Sequence, residues 1–214
     1  MTWDEYVTAW SKLHGGFDPR QAAPVVRGWV RGAYRIGSFL GRKGVTPFTV
    51  TAAGVLLCLA VPLAALAGRP GLALGALLVL LAAVADALDG AVAVVTGRIS
   101  RAGYIYDSVA DRVGELGWLT AFWVGGAPGW LVVTAGAASW LHEYVRARAA
   151  AGGMPEIGAV TVGERPTRVS IAFTALIAGA LLPWPVFTVA AAAWLVMQAI
   201  GFGQLIFVVR RALR

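Results

Sequence analysis

The 214-residue sequence is poor in charge and holds a single cysteine. Asp, Glu, Lys and Arg make up 14% of it, whereas about a quarter of a typical soluble domain is charged. Hydrophobic residues make up 58% and the mean hydropathy is +0.72, which is more apolar surface than a soluble chain of this length can bury. The lone Cys58 excludes an intrachain disulfide. This composition predicts an integral membrane protein.

The sequence also lacks an internal repeat and a low-complexity linker. Its first residues are not expected to be a secretory signal peptide, because they are acidic where a signal peptide is basic. We expect a polar cytoplasmic segment over residues 1–22, whose role is left open. Residues 23–44 follow as an amphipathic helix in the membrane interface. Four arginines recur on one face of that helix, toward the lipid headgroups: Arg27, Arg31, Arg35 and Arg42.

Six hydrophobic segments occupy the rest of the chain, and glycine and proline mark the joins between them. Each approaches the roughly 20 residues that span a bilayer as a helix. The segments are predicted at 47–67, 71–95, 104–126, 129–150, 168–183 and 185–208. The predicted fold is therefore an all-α integral membrane protein, with six transmembrane helices in a domain over residues 45–214, preceded by the interfacial helix.

The loops differ in charge. Those on one side of the predicted membrane hold nearly all the Lys and Arg residues, whereas the opposite loops hold only Arg69. The positive-inside rule then places both termini in the cytoplasm, which agrees with an even number of spans in the cell membrane. The net charge of +7 is explained by these loops and by anionic lipid, so no nucleic-acid partner is expected.

Four aspartates lie between apolar runs. Asp86 and Asp89 are spaced i, i+3, and Asp107 and Asp111 are spaced i, i+4, so each pair projects from one helix face. A hairpin through Gly97 would bring the two pairs together near the cytoplasmic surface. Such crowded carboxylates need one or two divalent cations, and oxygen-only ligands favour Mg²⁺ or Mn²⁺. Carboxylates in spans also mark ion pathways, so a cation-coupled transporter is an open alternative.

Small residues share the faces that carry these aspartates. Gly90 follows the second aspartate and Gly103 precedes the third by one helical turn. Ala93 adds a small side chain to the same face. Glycine inside a helix costs about 1 kcal/mol relative to alanine, but it is useful where a ligand approaches the backbone. The pattern therefore predicts a site with room for a bound molecule.

The segment from Asp86 to Asp111 reads D-x2-D-G-x2-A-V-x8-G-x3-D-x3-D. It resembles the D-x2-D-G-x2-A-R-x8-G-x3-D-x3-D pattern of the CDP-alcohol phosphotransferases, with valine at position 94 where the pattern has arginine. Arg98, one turn later, could partly replace that cation if the helix continues to that residue. The stretch GVTPFTVTAAG before the first span is similar to the entry motif of the family, although Phe48 stands where the family often has Asn or Asp.

The resemblance implies an enzyme that uses a CDP-linked lipid such as CDP-diacylglycerol, transfers its phosphatidyl-type group to an alcohol and releases CMP. It implies two divalent ions on the diphosphate, with Asp111 also acting as general base. It further implies that Gly90, Ala93 and Gly103 border the nucleotide, and that the protein is a homodimer. The residues implied to hold the metal ions are Asp86, Asp89, Asp107 and Asp111.

A second resemblance concerns the acceptor. The stretches EYVRARA from Glu143 and ERPTR from Glu164 are similar to the phosphatidylinositol-phosphate synthase branch found in actinobacteria. This implies that Arg146, Arg168 and Arg210 bind the phosphate of the acceptor, with inositol 1-phosphate as the predicted acceptor. Glycerol 3-phosphate, giving a phosphatidylglycerophosphate synthase, is the alternative. These arginines could also be ordinary positive-inside loop charges.

Overall fold

The computed structural model describes residues 1–154 and 160–213, and over these residues the fold is all-α, without a strand. The predicted join at 152–155 and the predicted domain end at 214 lie partly outside them. The helices are α1 (Trp3–Leu13), α2 (Pro24–Arg42), α3 (Pro47–Ala65), α4 (Gly68–Thr96), α5 (Arg101–Val124), α6 (Gly129–Ala151), α7 (Arg165–Leu181) and α8 (Val186–Ala212).

Three of these helices, α3, α4 and α8, are long and apolar enough to cross a membrane. The other three predicted spans also correspond to helices, but α5 carries several charges in its first half and α7 has only 17 residues. Helix α2 lies where the sequence predicts the interfacial helix. The membrane-protein class is thus supported, whereas the number of spans and the interfacial position of α2 stay predictions.

Glycine and serine set the turn between α4 and α5. Gly97 has φ +65°, a conformation that residues with a side chain rarely adopt. The N–H groups of Gly97 and Arg98 donate to the carbonyl oxygens of Val94 and Ala93 at 3.2 and 2.9 Å, which is the Schellman arrangement. The hydroxyl of Ser100 then accepts from the N–H of Gly103 at 3.0 Å and caps α5.

The described chain divides into two compact units. The first comprises Met1–Leu56 and Leu81–Asp111, and the second comprises Leu57–Leu80 and the chain from Arg112 onward. All four predicted metal ligands belong to the first unit, whereas the three predicted phosphate-binding arginines belong to the second.

Two apolar clusters organise the first unit. One joins α1, α2 and α4 through buried Tyr6, Val7, Val30, Ala91 and Val94. The other joins α3 to α4 through Val50, Ala85 and Val92. Because α3 packs here, its Thr51 lies beside Asp89. The packing of the first unit thus places a hydroxyl beside one aspartate of α4.

Aromatic side chains fill the core of the second unit. Phe122 of α5 contacts Phe187 and Trp194 of α8, with ring centroids 5.6 and 6.2 Å apart. The indole N–H of Trp194 donates to the hydroxyl of Ser139 on α6 at 2.8 Å. This bond satisfies a buried donor that would otherwise be costly, and it joins α8 to α6 in the same region as the ring contacts.

Candidate active site

Three of the four predicted aspartates come together in the first unit. Asp86 lies on α4, and Asp107 and Asp111 lie one turn apart on α5. Each offers a carboxylate oxygen, and these oxygens lie within 4.8 Å of one another. All three residues are half-buried, so their like charges are partly withdrawn from water. We call these three residues the aspartate cluster.

The fourth aspartate has a different environment. Asp89 is 8% exposed, and its Oδ2 accepts a hydrogen bond from the hydroxyl of Thr51 at 2.6 Å. The sequence predicts convergence of four carboxylates, whereas the structure groups three of them. Asp89 lies where α3 packs against α4, and the Thr51 hydroxyl donates to its carboxylate there.

The donor set of the aspartate cluster fits a hard divalent cation. The cluster offers carboxylate oxygens only, which suit Mg²⁺ or Mn²⁺ better than Zn²⁺. Three carboxylates this close repel one another when they are ionised, and a bound cation offsets that repulsion. Asp89 lies three residues from Asp86 on α4 and completes the set that the sequence pattern predicts.

The small residues near the cluster differ in how much space they leave. A Cβ added at Gly90 would meet no atom within 4 Å, and Gly90 is exposed. Gly103 is also exposed, but a Cβ there would lie 3.1 Å from the hydroxyl oxygen of Ser100. Ala93 is half-buried. The open surface of α4 therefore centres on Gly90, one turn beyond Asp86.

The two departures from the family pattern both make apolar contacts. Val94 is 2% exposed and belongs to the buried cluster that α1 forms with α4. Phe48 is exposed, and its ring contacts that of Tyr106 edge to face at a centroid distance of 5.8 Å. Tyr106 directly precedes Asp107 on α5. One ring of this aromatic pair is therefore adjacent in sequence to a residue of the aspartate cluster.

In the second unit, Arg168 lies inside a network of charges. It is 2% exposed, and its Nε lies 2.8 Å from Oε1 of Glu115, while its Nη2 lies 3.4 Å from Oε1 of Glu143. Arg112 pairs with the same two carboxylates at 2.9 and 3.3 Å. Two arginines and two glutamates thus offset one another, and we call them the charge network.

Arg146 is held by a separate chain of hydrogen bonds. Its guanidinium donates to both carboxylate oxygens of Glu164, with Nη1 3.2 Å from Oε2. Oε1 of Glu164 also accepts from the backbone N–H of Thr161 at 2.9 Å, and the Thr161 hydroxyl lies 3.1 Å from Nε2 of His142. Burial raises the pKa of Glu164. The hydrogen bonds from Arg146 and Thr161 to its carboxylate, together with the charge of Arg146, outweigh burial and leave that pKa below its usual range.

The third predicted arginine lies elsewhere in the second unit. Arg210 is exposed in the last turn of α8, and no contact described in residues 1–154 and 160–213 joins it to Arg146 or Arg168. The glutamates that hold the arginines were not predicted from the sequence. A signal for them exists, because Glu115 and Glu143 lie within apolar helices, where a charge needs a partner.

These features can be compared with known proteins. Residues 45–207 match the family model of the CDP-alcohol phosphatidyltransferases. The chain belongs to the CDP-alcohol phosphatidyltransferase family. This membership confirms the resemblance of the aspartate pattern, and it makes the protein a transferase of phospholipid biosynthesis rather than a transporter.

Two relatives of this CDP-alcohol phosphatidyltransferase bear on its acceptor. It is 32% identical over 162 residues to the archaetidylinositol phosphate synthase of Pyrococcus horikoshii, covering 75% of this chain and 84% of the relative. It is 35% identical over 164 residues to the phosphatidylinositol phosphate synthase of Mycobacteroides abscessus, covering 72% of each chain. Both relatives are named for an inositol phosphate product, and their names differ in the lipid part.

Solved structures of Mycobacterium tuberculosis phosphatidylinositol phosphate synthase share the fold. The structure in complex with manganese and citrate superimposes with a TM-score of 0.69 at 27% identity, covering 83% of this chain and 88% of the other. The structure with CDP-DAG bound gives a TM-score of 0.68 at 28% identity, covering 84% and 94%. The neighbour therefore binds manganese and a CDP-linked lipid on a similar helical fold.

Proposed function

We propose that this CDP-alcohol phosphatidyltransferase transfers the phosphatidyl group of CDP-diacylglycerol to a hydroxyl of inositol 1-phosphate, releasing CMP. The observation that carries the acceptor is the shared inositol phosphate product in the names of an archaeal and a bacterial relative. The CDP-DAG complex of the structural neighbour supports the lipid donor. The half-buried aspartate cluster supports the chemistry.

The reaction is a substitution at phosphorus. The acceptor hydroxyl oxygen forms a bond to the phosphorus that carries the diacylglycerol, and the bond from that phosphorus to the CMP oxygen breaks. Asp111 accepts the hydroxyl proton as general base. One or two Mg²⁺ or Mn²⁺ ions, when bound, offset the charge of the diphosphate and of the departing CMP.

The residues of the first unit then have two roles, metal binding and nucleotide binding. Asp86 and Asp107 hold the divalent cation together with Asp111, and Asp89 contributes a ligand oriented by Thr51. The exposed surface at Gly90, bordered by Ala93 and Gly103, receives the nucleotide, because an added Cβ at Gly90 would meet open space. These roles follow the family pattern, and the grouping of Asp86, Asp107 and Asp111 supports the metal site.

The arginines of the second unit recognise the acceptor phosphate in this proposal. Several cationic donors on a dianion are how proteins bind phosphate. Arg146 is held by Glu164 and Arg168 by the charge network, so both guanidiniums are positioned before the substrate arrives. Arg210 adds a third cation from the end of α8. Loss of any of the three is expected to weaken acceptor binding more than donor binding.

We also propose the membrane arrangement predicted from the sequence. Helices α3 to α8 form six spans, α2 lies in the cytoplasmic interface and both termini are cytoplasmic, which follows the charge bias of the loops. The active site then faces the cytoplasm, where a water-soluble acceptor can meet a lipid donor. A homodimer in the cell membrane completes this proposal.

An acceptor panel tests the proposed function. Purified protein with Mn²⁺ and CDP-diacylglycerol is supplied with inositol 1-phosphate, glycerol 3-phosphate or free inositol, and CMP release is measured. We expect inositol 1-phosphate to exceed the other two by at least about a hundredfold in kcat/KM, since a site built to hydrogen-bond a substrate penalises an acceptor that leaves its groups unpaired. Free inositol lacks the phosphate, and glycerol 3-phosphate lacks the ring hydroxyls. Faster turnover of glycerol 3-phosphate would instead assign the chain as a phosphatidylglycerophosphate synthase.

The contact between Thr51 and Asp89 gives a second prediction. Thr51→Val keeps the side-chain shape but removes the hydroxyl that donates to the carboxylate. We expect the affinity for Mn²⁺ to fall about 10- to 100-fold, as is typical when a group orienting a metal ligand is lost. The affinity is measured by titrating each protein with Mn²⁺ and following the concentration of free Mn²⁺ by electron paramagnetic resonance.

The matched control is Thr134→Val in the second unit. The Thr134 hydroxyl donates to the backbone carbonyl of Trp130 at 2.7 Å, so the variant loses a similar hydroxyl from a helix without touching an aspartate. Its Mn²⁺ affinity is expected to equal that of the unaltered chain. Equal affinities for both variants would show that Thr51 does not orient a metal ligand.

A further inference from the structure

Helix α1 lies outside the residues that match the family, 45–207, yet it packs against the helix that carries the aspartate pattern. Tyr6 and Val7 are 1% and 0% exposed. They share a buried cluster with Ala91 and Val94 of α4. An N-terminal segment that the sequence presents as polar therefore buries an apolar face inside the first unit.

Polar contacts fix α1 in this place. Thr2 and Glu5 form a capping box at its start, which stabilises the first turn of a short helix. The Tyr34 hydroxyl of α2 donates to the backbone carbonyl of Met1 at 2.9 Å. The packed face and the fixed end together show that α1 is an ordered part of the first unit.

The point of contact on α4 is next to the proposed nucleotide surface. Val94 lies one helical turn after Gly90 and five residues after Asp89. Gly90 is exposed with open space beside it, whereas Val94 is 2% exposed beneath α1. Helix α1 therefore covers α4 where the open surface ends.

Valine at position 94 makes this packing possible. The family pattern has arginine there, and a guanidinium buried in this apolar cluster would lose hydration, which is costly. The cluster around Val94 consists of apolar and aromatic side chains from α1, α2 and α4. The valine at position 94 thus supplies part of the apolar surface on which α1 packs.

We propose that α1 is a positioning element of the active site, docked on Val94, which fixes the segment of α4 from Gly90 to Ala93 for the nucleotide of the CDP-linked lipid. The proposal rests on the proposed function, because it takes CDP-diacylglycerol as the donor. It assigns Tyr6, Val7 and Val94 as positioning residues that act through α4 without touching substrate.

Neighbouring positions on α1 supply a matched test. Val7→Asp places a carboxylate in the buried cluster, whereas Thr8→Asp adds the same charge at an exposed position. In Val7→Asp we expect faster trypsin cleavage after exposed Lys12 and about tenfold weaker binding of CDP-diacylglycerol, measured by thermal shift in Mn²⁺. The KM for inositol 1-phosphate should stay unchanged, and Thr8→Asp should match the unaltered chain in all three measurements.

The outcomes separate the possible failures. Faster cleavage of Val7→Asp with unchanged affinity for CDP-diacylglycerol would leave α1 a merely structural helix and overturn the positioning role. Unchanged cleavage would overturn the docking itself. If Val7→Asp does not fold, Val94→Ala tests the same contact without adding charge, with smaller changes in the same direction. Failure of the unaltered chain to bind CDP-diacylglycerol would overturn the proposed function together with this inference.

Discussion

Replacing Asp111 by asparagine is expected to lower the rate of CMP release about a thousandfold, within the range that a general base supplies. The carboxylate oxygen of Asp111 lies within 4.8 Å of those of Asp86 and Asp107, so the variant also removes one charge from the cation site. Asparagine keeps the size of the side chain but cannot accept the hydroxyl proton. The loss should therefore appear in kcat at saturating Mn²⁺ and saturating substrates.

Two comparisons make the Asp111 result specific. Asp4→Asn changes an aspartate of the same unit whose side chain is 77% exposed, and it should retain full activity. Asp86→Asn removes a cluster carboxylate without removing the base, so more Mn²⁺ should restore part of its activity. If Asp111→Asn responds to added Mn²⁺ as Asp86→Asn does, Asp111 is a metal ligand without a separate role as base.

The aspartate pattern was predictable because its information is local. Asp107 and Asp111 lie one turn apart on any helix, and Gly97 marks the turn that returns the chain toward Asp86. Spacing alone thus indicates which carboxylates can face one another, although the structure groups Asp86, Asp107 and Asp111 without Asp89. The all-α class was predictable for a similar reason, since apolar runs bounded by glycine and proline determine the helices without knowledge of their packing.

Contacts between helices were not predictable in the same way. The hydroxyl of Thr51 on α3 meets Asp89 on α4 only because of how the two helices pack. No spacing rule relates positions 51 and 89. The same holds for Val94. From the sequence it is a position that lacks the arginine of the family pattern, whereas in the structure it shares a buried cluster with α1. In both cases the meaning of a residue depends on a neighbour that is distant along the chain.

The glutamates of the charge network illustrate a different difficulty. Arg112 and Glu115 are spaced i, i+3, as in many exposed ion pairs of helices. The structure instead buries both, at 9% and 1% exposure, and adds Arg168 and Glu143. Arg146 and Arg168 were predicted as phosphate-binding cations, but their carboxylate partners decide how each guanidinium is held.

Removing the central carboxylate of this network is expected to destabilise the fold. Among the residues that the structure describes, Glu115→Ala leaves Arg168, which is 2% exposed, with the longer ion pair to Glu143 at 3.4 Å. Breaking a buried pair by removing one partner costs about 3–5 kcal/mol, because the remaining charge is left uncompensated. Reversible unfolding in detergent measures the change in the free energy of unfolding. Glu143→Ala, whose side chain is 30% exposed, should cost less, since water can reach the vacated site.

A double variant distinguishes stability from recognition. Glu115→Met combined with Arg168→Met removes both charges and replaces them with apolar groups of similar length, which is often neutral or stabilising for a buried pair. We expect it to recover most of the stability that Glu115→Met alone loses. If Arg168 also binds the acceptor phosphate, the stable double variant will still show a raised KM for inositol 1-phosphate and an unchanged KM for CDP-diacylglycerol. An ordinary KM for both substrates would leave Arg168 a structural cation and assign phosphate recognition to Arg146 and Arg210.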